Sequence, residues 1–322
     1  MNVSTHATGS KSEHTRPSES LTHSDQGQRH SAPRQTRIVR EGETPLFEKL
    51  YRGITSPMRL LPDFLIIGTQ RGGTTSLYNY LQAHPCIGPS STKEIHFFDR
   101  QRQKGLRWYR GHFPTRVEQY YAHRYRKRAF VTGEASPSYL FYPHTAGRVA
   151  EVLPQVKLIV LLRNPVDRAY SQYFHAVEHG FETLSFEAAI DGEIERTAAE
   201  RDKIVQDEFY QSHAFRHRSY LSRGIYVEQL QAWMELFPRE QFLILKSEEF
   251  YTDPAATFKR VLAFLGIREM ELEPEQQDFK LYNNNIYSSR MDAALRKRLI
   301  EYFEPHNARL YDLLGIDFGW DK

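Results

Sequence analysis

Short, continuous apolar runs alternate along this chain with longer stretches whose apolar residues recur at helical spacing. The runs Phe64–Gly68, Ala129–Gly133, Leu158–Leu162 and Phe242–Lys246 read as strands buried on both faces. The stretches Thr75–Ala83, Pro143–Leu153, Pro165–Glu178, Ile225–Leu236 and Pro254–Leu265 read as helices, and Asp292 to about Phe303 as a last helix ahead of Pro305. A Glu-rich stretch from Ser185 to Phe209 predicts one or two exposed helices, and Leu46 to Leu61 a lead-in helix or loop. Alternation of this kind predicts an α/β fold, a parallel sheet with helices on both faces, in one domain over residues 60–322.

The first run feeds a glycine-rich turn, Gly68-Thr69-Gln70-Arg71-Gly72-Gly73-Thr74-Thr75-Ser76, which opens a helix. Backbone N–H groups in such a turn converge on an anion at the helix N-terminus. The spacing from Gly68 to Gly73 is that of a Walker-type loop, so the sheet is P-loop-like. Thr74, however, stands where a nucleotide triphosphatase carries Lys, and the positive charge sits at Arg71 instead. The run Lys157–Leu162 does not end in the Asp that would hold magnesium. It ends in Arg163-Asn164-Pro165, with Asn164 suited to the N-cap and Pro165 to the first helical position. Asp167 is expected to cap reciprocally, and Arg168 to face solvent. Each strand end carries an arginine beside a helix start. This describes an anion site with two points, at the carboxyl ends of the strands where such sheets bind ligands. Neither end offers a metal ligand.

Composition narrows the picture. The 322 residues are 40% apolar, enough for a sizeable core, and carry a net charge of +3. So mild a charge, with a buried parallel sheet, argues against a nucleic-acid partner. A single cysteine, Cys86, allows no intrachain disulfide and fits a reducing compartment. No apolar run approaches the roughly 18 residues of a membrane span, and the N-terminus lacks the apolar core of a signal peptide. A cytoplasmic enzyme is expected. Residues 1–45 are rich in Ser, Thr, His, Gln and Arg and predict a disordered tail. Its histidines, His6, His14, His23 and His30, lack metal-ligand spacing. Two basic stretches, Arg100 to Arg110 and Arg124 to Arg128, read as solvated surface or as contacts for an anionic acceptor.

Gln70-Arg71-Gly72-Gly73-Thr74-Thr75-Ser76-Leu77 resembles the 5′-phosphosulfate loop of sulfotransferases that use 3′-phosphoadenosine 5′-phosphosulfate (PAPS). Arg163-Asn164-Pro165-Val166-Asp167-Arg168-Ala169-Tyr170-Ser171 is similar to their 3′-phosphate motif. Lys93-Glu94-Ile95-His96-Phe97-Phe98-Asp99 resembles the catalytic segment of the Golgi-type glycan enzymes, the heparan sulfate branch in particular. Further similarity runs through Gly133 to Tyr139 and Arg223 to Tyr226. The resemblance covers roughly residues 60 to 320 and implies a single sulfotransferase domain.

It implies that Arg71 contacts the 5′-phosphate, where the family usually has Lys, and that Gly72, Gly73, Thr74, Thr75 and Ser76 complete that loop. Arg163 and Ser171 then hold the 3′-phosphate, and Glu94 is the general base. His96 and Asp99 either orient that base or the acceptor, or point outward from an edge strand around Ile95, Phe97 and Phe98; both readings stay open. Asn283-Asn284-Asn285 corresponds to a Lys-Gly-Arg loop of many relatives, with Asn285 suited to the glycine's left-handed position and Arg290 as a replacement cation. PAPS is the implied co-substrate, with no metal, and the acceptor a glycan or a small hydroxylated molecule. The competing reading of the same loop is a P-loop nucleotide kinase or triphosphatase.

Overall fold

The structure, a computed structural model, describes residues 45–267, 279 and 290–320. The expected tail lies, but for Pro45, outside the described residues, as does the Asn283-Asn284-Asn285 loop; Arg290 is exposed. Along the chain come α1 (Leu46–Thr55), β1 (Phe64–Gly68), α2 (Thr74–Ala83), β2 (Ile87–Gly88), α3 (Gly105–Arg110), α4 (Arg116–Arg126), β3 (Val131–Ala135), α5 (Thr145–Val152), β4 (Lys157–Leu162) and α6 (Pro165–Glu178). Then follow α7 (Phe186–Asp191), α8 (Glu193–Gln206), α9 (His213–Arg218), α10 (Tyr226–Met234), β5 (Phe242–Lys246), α11 (Ser247–Thr252), α12 (Pro254–Leu265) and α13 (Ala293–Leu314).

The five strands form one parallel sheet in the order β2-β3-β1-β4-β5. Phe64 of β1 pairs with Gly133 of β3 on one side and Lys157 of β4 on the other. Alternate side chains enter separate cores. Leu65, Ile67, Leu158, Val160 and Leu162 join one, under α5 and α10. Phe64, Ile66, Ile159 and Leu161 join the other, under α2 and α12. Both faces being covered, the strand sequences are apolar without alternation. From β1 the chain runs to one side of the sheet, and from β3 it crosses to β4 on the other. The β1–β4 border is therefore a switch point, where a crevice opens at the strand ends.

Four expectations need correction. The third strand starts two residues later than Ala129 and includes Glu134, whose buried carboxyl finds three hydroxyl donors and so can stay in the sheet. The last helix runs through Pro305 to Leu314, because Phe303, Asn307 and Leu310 keep one face buried on both sides of the proline. Helices α7 and α8 are not simply exposed: Phe186, Ile190 and Ile204 are buried. So is Glu193, which accepts from the N–H groups of Tyr220, Leu221 and Ser222. Residues 93–99 form a loop, not an edge strand. Among the described residues no helix is long and apolar enough to cross a membrane.

Candidate active site

The β1–α2 turn is shaped for close approach. Gly73 caps α2 at φ 94°, in the left-handed region, and no side chain caps this helix end. Gly73, Thr74 and Thr75 line the crevice at this helix start, the position an anion cradle takes. A Cβ on Gly72 would lie 2.8 Å from the Leu161 carbonyl oxygen, so only glycine fits against β4 there. The Gly72 carbonyl accepts from Ser247 Oγ at 2.8 Å. Arg71 also adopts a positive φ, 69°. Its Nε donates to Ser171 Oγ on α6 at 2.9 Å, and its carbonyl accepts from Arg163 Nη1 at 3.0 Å. Asn164 caps α6 as expected, accepting from Val166 and Asp167 N–H. Asp167 does not cap in return: its carboxylate pairs with Arg296 of α13 at 2.7 Å. Arg168 is fully buried, bonding Gln172 Oε1 at 2.7 Å and the Tyr220 carbonyl, so the expectation that it faces solvent is overturned.

Across the crevice the loop after β2 hangs from the end of β3. Glu94 N–H donates to the Ala135 carbonyl at 3.1 Å, and His96 N–H to Ser136 Oγ at 3.2 Å. Tyr139 OH accepts from Phe97 N–H at 2.9 Å. Ser136, Tyr139 and Tyr109 in turn donate to the Glu134 carboxyl at 2.8, 3.0 and 2.8 Å. Burial pushes that carboxyl's pKa up, against the three hydroxyls that favour its charge. Glu94 and His96 hold φ values of 59° and 55°. With Arg71 they are three of five described non-glycine residues at positive φ, and all three border the crevice. Strain of this kind gathers at functional sites.

The side chains of this loop form a relay. His96 Nδ1 contacts Asp99 Oδ2 at 2.9 Å, and Ser138 Oγ donates to the same oxygen at 2.6 Å. His96 Nε2 stands 3.4 Å from Glu94 Oε2, and Lys93 pairs with Oε1. Burial alone would lower the imidazole's pKa, but Asp99 and Glu94 raise it above the ordinary value. Burial would raise Asp99, yet the His96 charge and hydrogen bond hold it at about 2. Burial would likewise raise Glu94, but Lys93 and His96 keep it well below the usual carboxylate range. Glu94 itself is half exposed to the crevice.

A cavity of about 680 Å³ joins these parts. Arg71, Gly73, Thr74, Thr75, Arg163 and Ser171 line it, and so do Glu94 and His96. Gly72 and Ser76 lie beneath this lining, in the turn and first helical residues. On the far wall Arg100, from the basic stretch expected as solvated surface or acceptor contact, meets Arg216 and Arg223 beside Tyr142 and His217. The buried Arg223 guanidinium lies 4.3 Å from the Phe141 ring centroid, and burial with the Arg168 and Arg100 charges brings its pKa down to about 10. Burial and the neighbouring Arg216 likewise push His217 to about 3. These cations repel one another, which suits a wall that meets an anion. Arg223 and Ser138 lay within resembling stretches; Arg216, His217 and Tyr251 carried no sequence signal.

Arginines at adjoining strand ends, with a glutamate facing them across one crevice, define a P-loop-like enzyme that transfers a group from a phosphate-bearing donor. Residues 61–295 match the family model described as the sulfotransferase domain, and the chain belongs to that family. It is 31% identical over 328 residues to a membrane-associated sulfotransferase, kil1, of Dictyostelium discoideum, covering 81% of this chain and 67% of the relative. It is 29% identical over 290 residues to heparan sulfate glucosamine 3-O-sulfotransferase 3B1 of Homo sapiens, covering 83% and 66%. A solved sulfotransferase of Alicyclobacillus acidocaldarius superimposes with a TM-score of 0.60 at 32% identity, over 82% of this chain and all of that one. The chain thus spans about two-thirds of the length of these curated relatives. The expected fold and enzyme class hold, PAPS is the family's sulfuryl donor, and the kinase or triphosphatase reading is not favoured. The crevice has the chemistry a phosphate-bearing donor needs: a helix start that no side chain caps, two arginines, Arg71 and Arg163, and the Ser171 hydroxyl.

Proposed function

We propose that this enzyme transfers the sulfuryl group of PAPS to a hydroxyl of a carbohydrate, with Glu94 as general base. The observation that carries the reading is the shared crevice: Glu94 and Arg71 border one cavity from opposite sides. Transfer is an in-line displacement at sulfur. The acceptor O–S bond forms, the bond from sulfur to the 5′-phosphate oxygen breaks, and adenosine 3′,5′-bisphosphate leaves. Glu94 takes the acceptor's proton. Arg71 stabilises the charge that develops on the departing phosphate. His96, fixed by Asp99 and Ser138, orients the Glu94 carboxylate.

Before ligands enter, Glu94 is a weak base, because Lys93 and His96 favour its charged form. An anionic donor in the same crevice disfavours that charge and raises its basicity. The carbohydrate acceptor is supported by relatives whose names include heparan sulfate glucosamine and by the cationic far wall. The single cysteine supports a cytoplasmic location, which cell fractionation tests. Incubation with labelled PAPS and a panel of glycans, lipids, phenols and small alcohols tests the acceptor. Label on a glycan is the expected outcome. Label only on lipids, phenols or small alcohols would overturn the carbohydrate assignment, and no transfer with any acceptor would overturn the activity.

A further inference from the structure

The last turn and C-cap of α6 carry His175, Glu178 and His179, whose ligand-capable atoms all lie within 4.8 Å of one another. The spacing of four residues stacks both imidazoles on one face of the helix, with ring centroids 4.1 Å apart. Both histidines border the crevice, one turn and two turns beyond Ser171. His179 Nδ1 donates to the His175 carbonyl at 2.9 Å, so its lone pair is on Nε2. A backbone carbonyl on the far nitrogen is the arrangement that fixes tautomer and ring orientation in metal-binding histidines. Phe181, which follows the helix, stacks against His179 at 5.9 Å and packs at a tilt on His217 at 4.0 Å, bracing this rim.

We propose that His175, Glu178 and His179 form a binding site for a divalent ion of the zinc class at the mouth of the crevice. Small side-chain rotations would bring three such ligands to the 2.0–2.2 Å that zinc requires, leaving a fourth position open, as in open zinc sites. Imidazole nitrogens select zinc, nickel or copper over magnesium and calcium, which prefer oxygen. The ion takes no part in the sulfuryl step, since neither Glu94 nor Arg71 is among its ligands. It adds a cation at the rim, where its open position faces the crevice and accepts an oxygen ligand. The site stands on its own geometry, whatever the acceptor proves to be.

Cobalt(II) absorption and zinc calorimetry on the full chain test this. Wild type should bind one cobalt with the visible bands of a four-coordinate site. His179→Ala, which removes an exposed ring, should lose that equivalent. Glu178→Gln, also exposed, should weaken binding by at least about tenfold, the lower bound for disturbing even a supporting partner, and it keeps the test open should His179→Ala fold poorly. His213→Ala, in the adjoining histidine pair, should bind as wild type. Histidines of the N-terminal segment are common to all variants and cancel in the comparison. The proposal is overturned if wild type gives no such bands, if Glu178→Gln and His179→Ala bind like wild type, if His213→Ala loses the ion, or if equimolar magnesium displaces it.

Discussion

Tyr139→Phe removes one oxygen from the centre of the support beneath the catalytic loop. The ring stays, so no cavity opens and the cost is polar. That hydroxyl donates to Glu134 Oε1 at 3.0 Å and accepts from Phe97 N–H at 2.9 Å, all within fully buried residues. Loss of a bond to a carboxyl costs roughly 1–3 kcal/mol depending on its charge, and a buried N–H left without a partner about 1–3 kcal/mol more. Neighbouring losses are not additive, so about 2–4 kcal/mol is expected. At about 2–4 °C per kcal/mol for a domain of this size, the melting temperature should fall by roughly 5–15 °C. Urea unfolding followed by tryptophan fluorescence gives the free energy. The same substitution loosens the segment that sets Glu94, so turnover should fall while affinity for adenosine 3′,5′-bisphosphate changes little. A stability change below about 0.5 kcal/mol, the size of an ordinary surface substitution, would refute the claim that this hydroxyl bridges two elements.

Other outcomes follow from the same geometry. Glu94→Gln should lower turnover by about 10²–10⁴-fold with nucleotide affinity nearly intact, and Asp99→Asn should cost less; full transfer activity in Glu94→Gln moves the base elsewhere. Arg163→Ala should chiefly weaken nucleotide binding, by roughly the 1.5–3 kcal/mol of a charge-assisted contact, whereas Arg71→Ala should slow turnover as well; calorimetry and initial rates separate the two. His96 titrates above its ordinary 6.5 in the folded chain, so its stabilising contribution is fully present below that value and is lost as pH rises through the folded value. Unfolding at about pH 6 and pH 9 should show wild type losing more stability than His96→Asn; equal losses would mean that the imidazole is not held charged.

Much of the fold was legible because the sheet is buried on both faces: Phe64–Gly68 and Phe242–Lys246 announce themselves as unbroken apolar runs, and glycine and proline mark the turns that follow β1 and β4. The residues expected to bind phosphate could be placed together for the same reason, being contiguous with those turns, and they line one cavity. What escaped depends on distant partners. Arg168 sits at a helical position that reads as surface, and the Tyr220 carbonyl, Gln172 and the nearby Glu193 charge help to make its burial tolerable. Glu134 reads as the end of a strand until Tyr109 and Tyr139 supply donors from two other segments. The left-handed backbone at Glu94 and His96 carries no glycine to mark it. Arg216 and His217 belong to a short helix brought to the crevice by tertiary packing alone.

The arginine at position 71 connects the two ends of the nucleotide site in a way that a lysine would not. Its left-handed backbone costs roughly 1–2 kcal/mol against the ordinary helical or extended basins. Hydrogen bonds that each contribute about 0.5–1.5 kcal/mol help to offset that cost, among them those of Arg163 Nη1 to its carbonyl and of its Nε to Ser171 Oγ. The loop geometry at Arg71 is therefore supported by Arg163 and Ser171, the residues expected to meet the 3′-phosphate. A guanidinium can keep Nε on Ser171 while its other edge turns toward the developing charge, because its donors are fixed in one plane. An ammonium on a flexible stem holds no such plane and would have to leave one partner to serve the other. On the assignment proposed above, a 3′-phosphate that engages Arg163 and Ser171 should therefore also set Arg71, tying the activation of the donor to its full recognition.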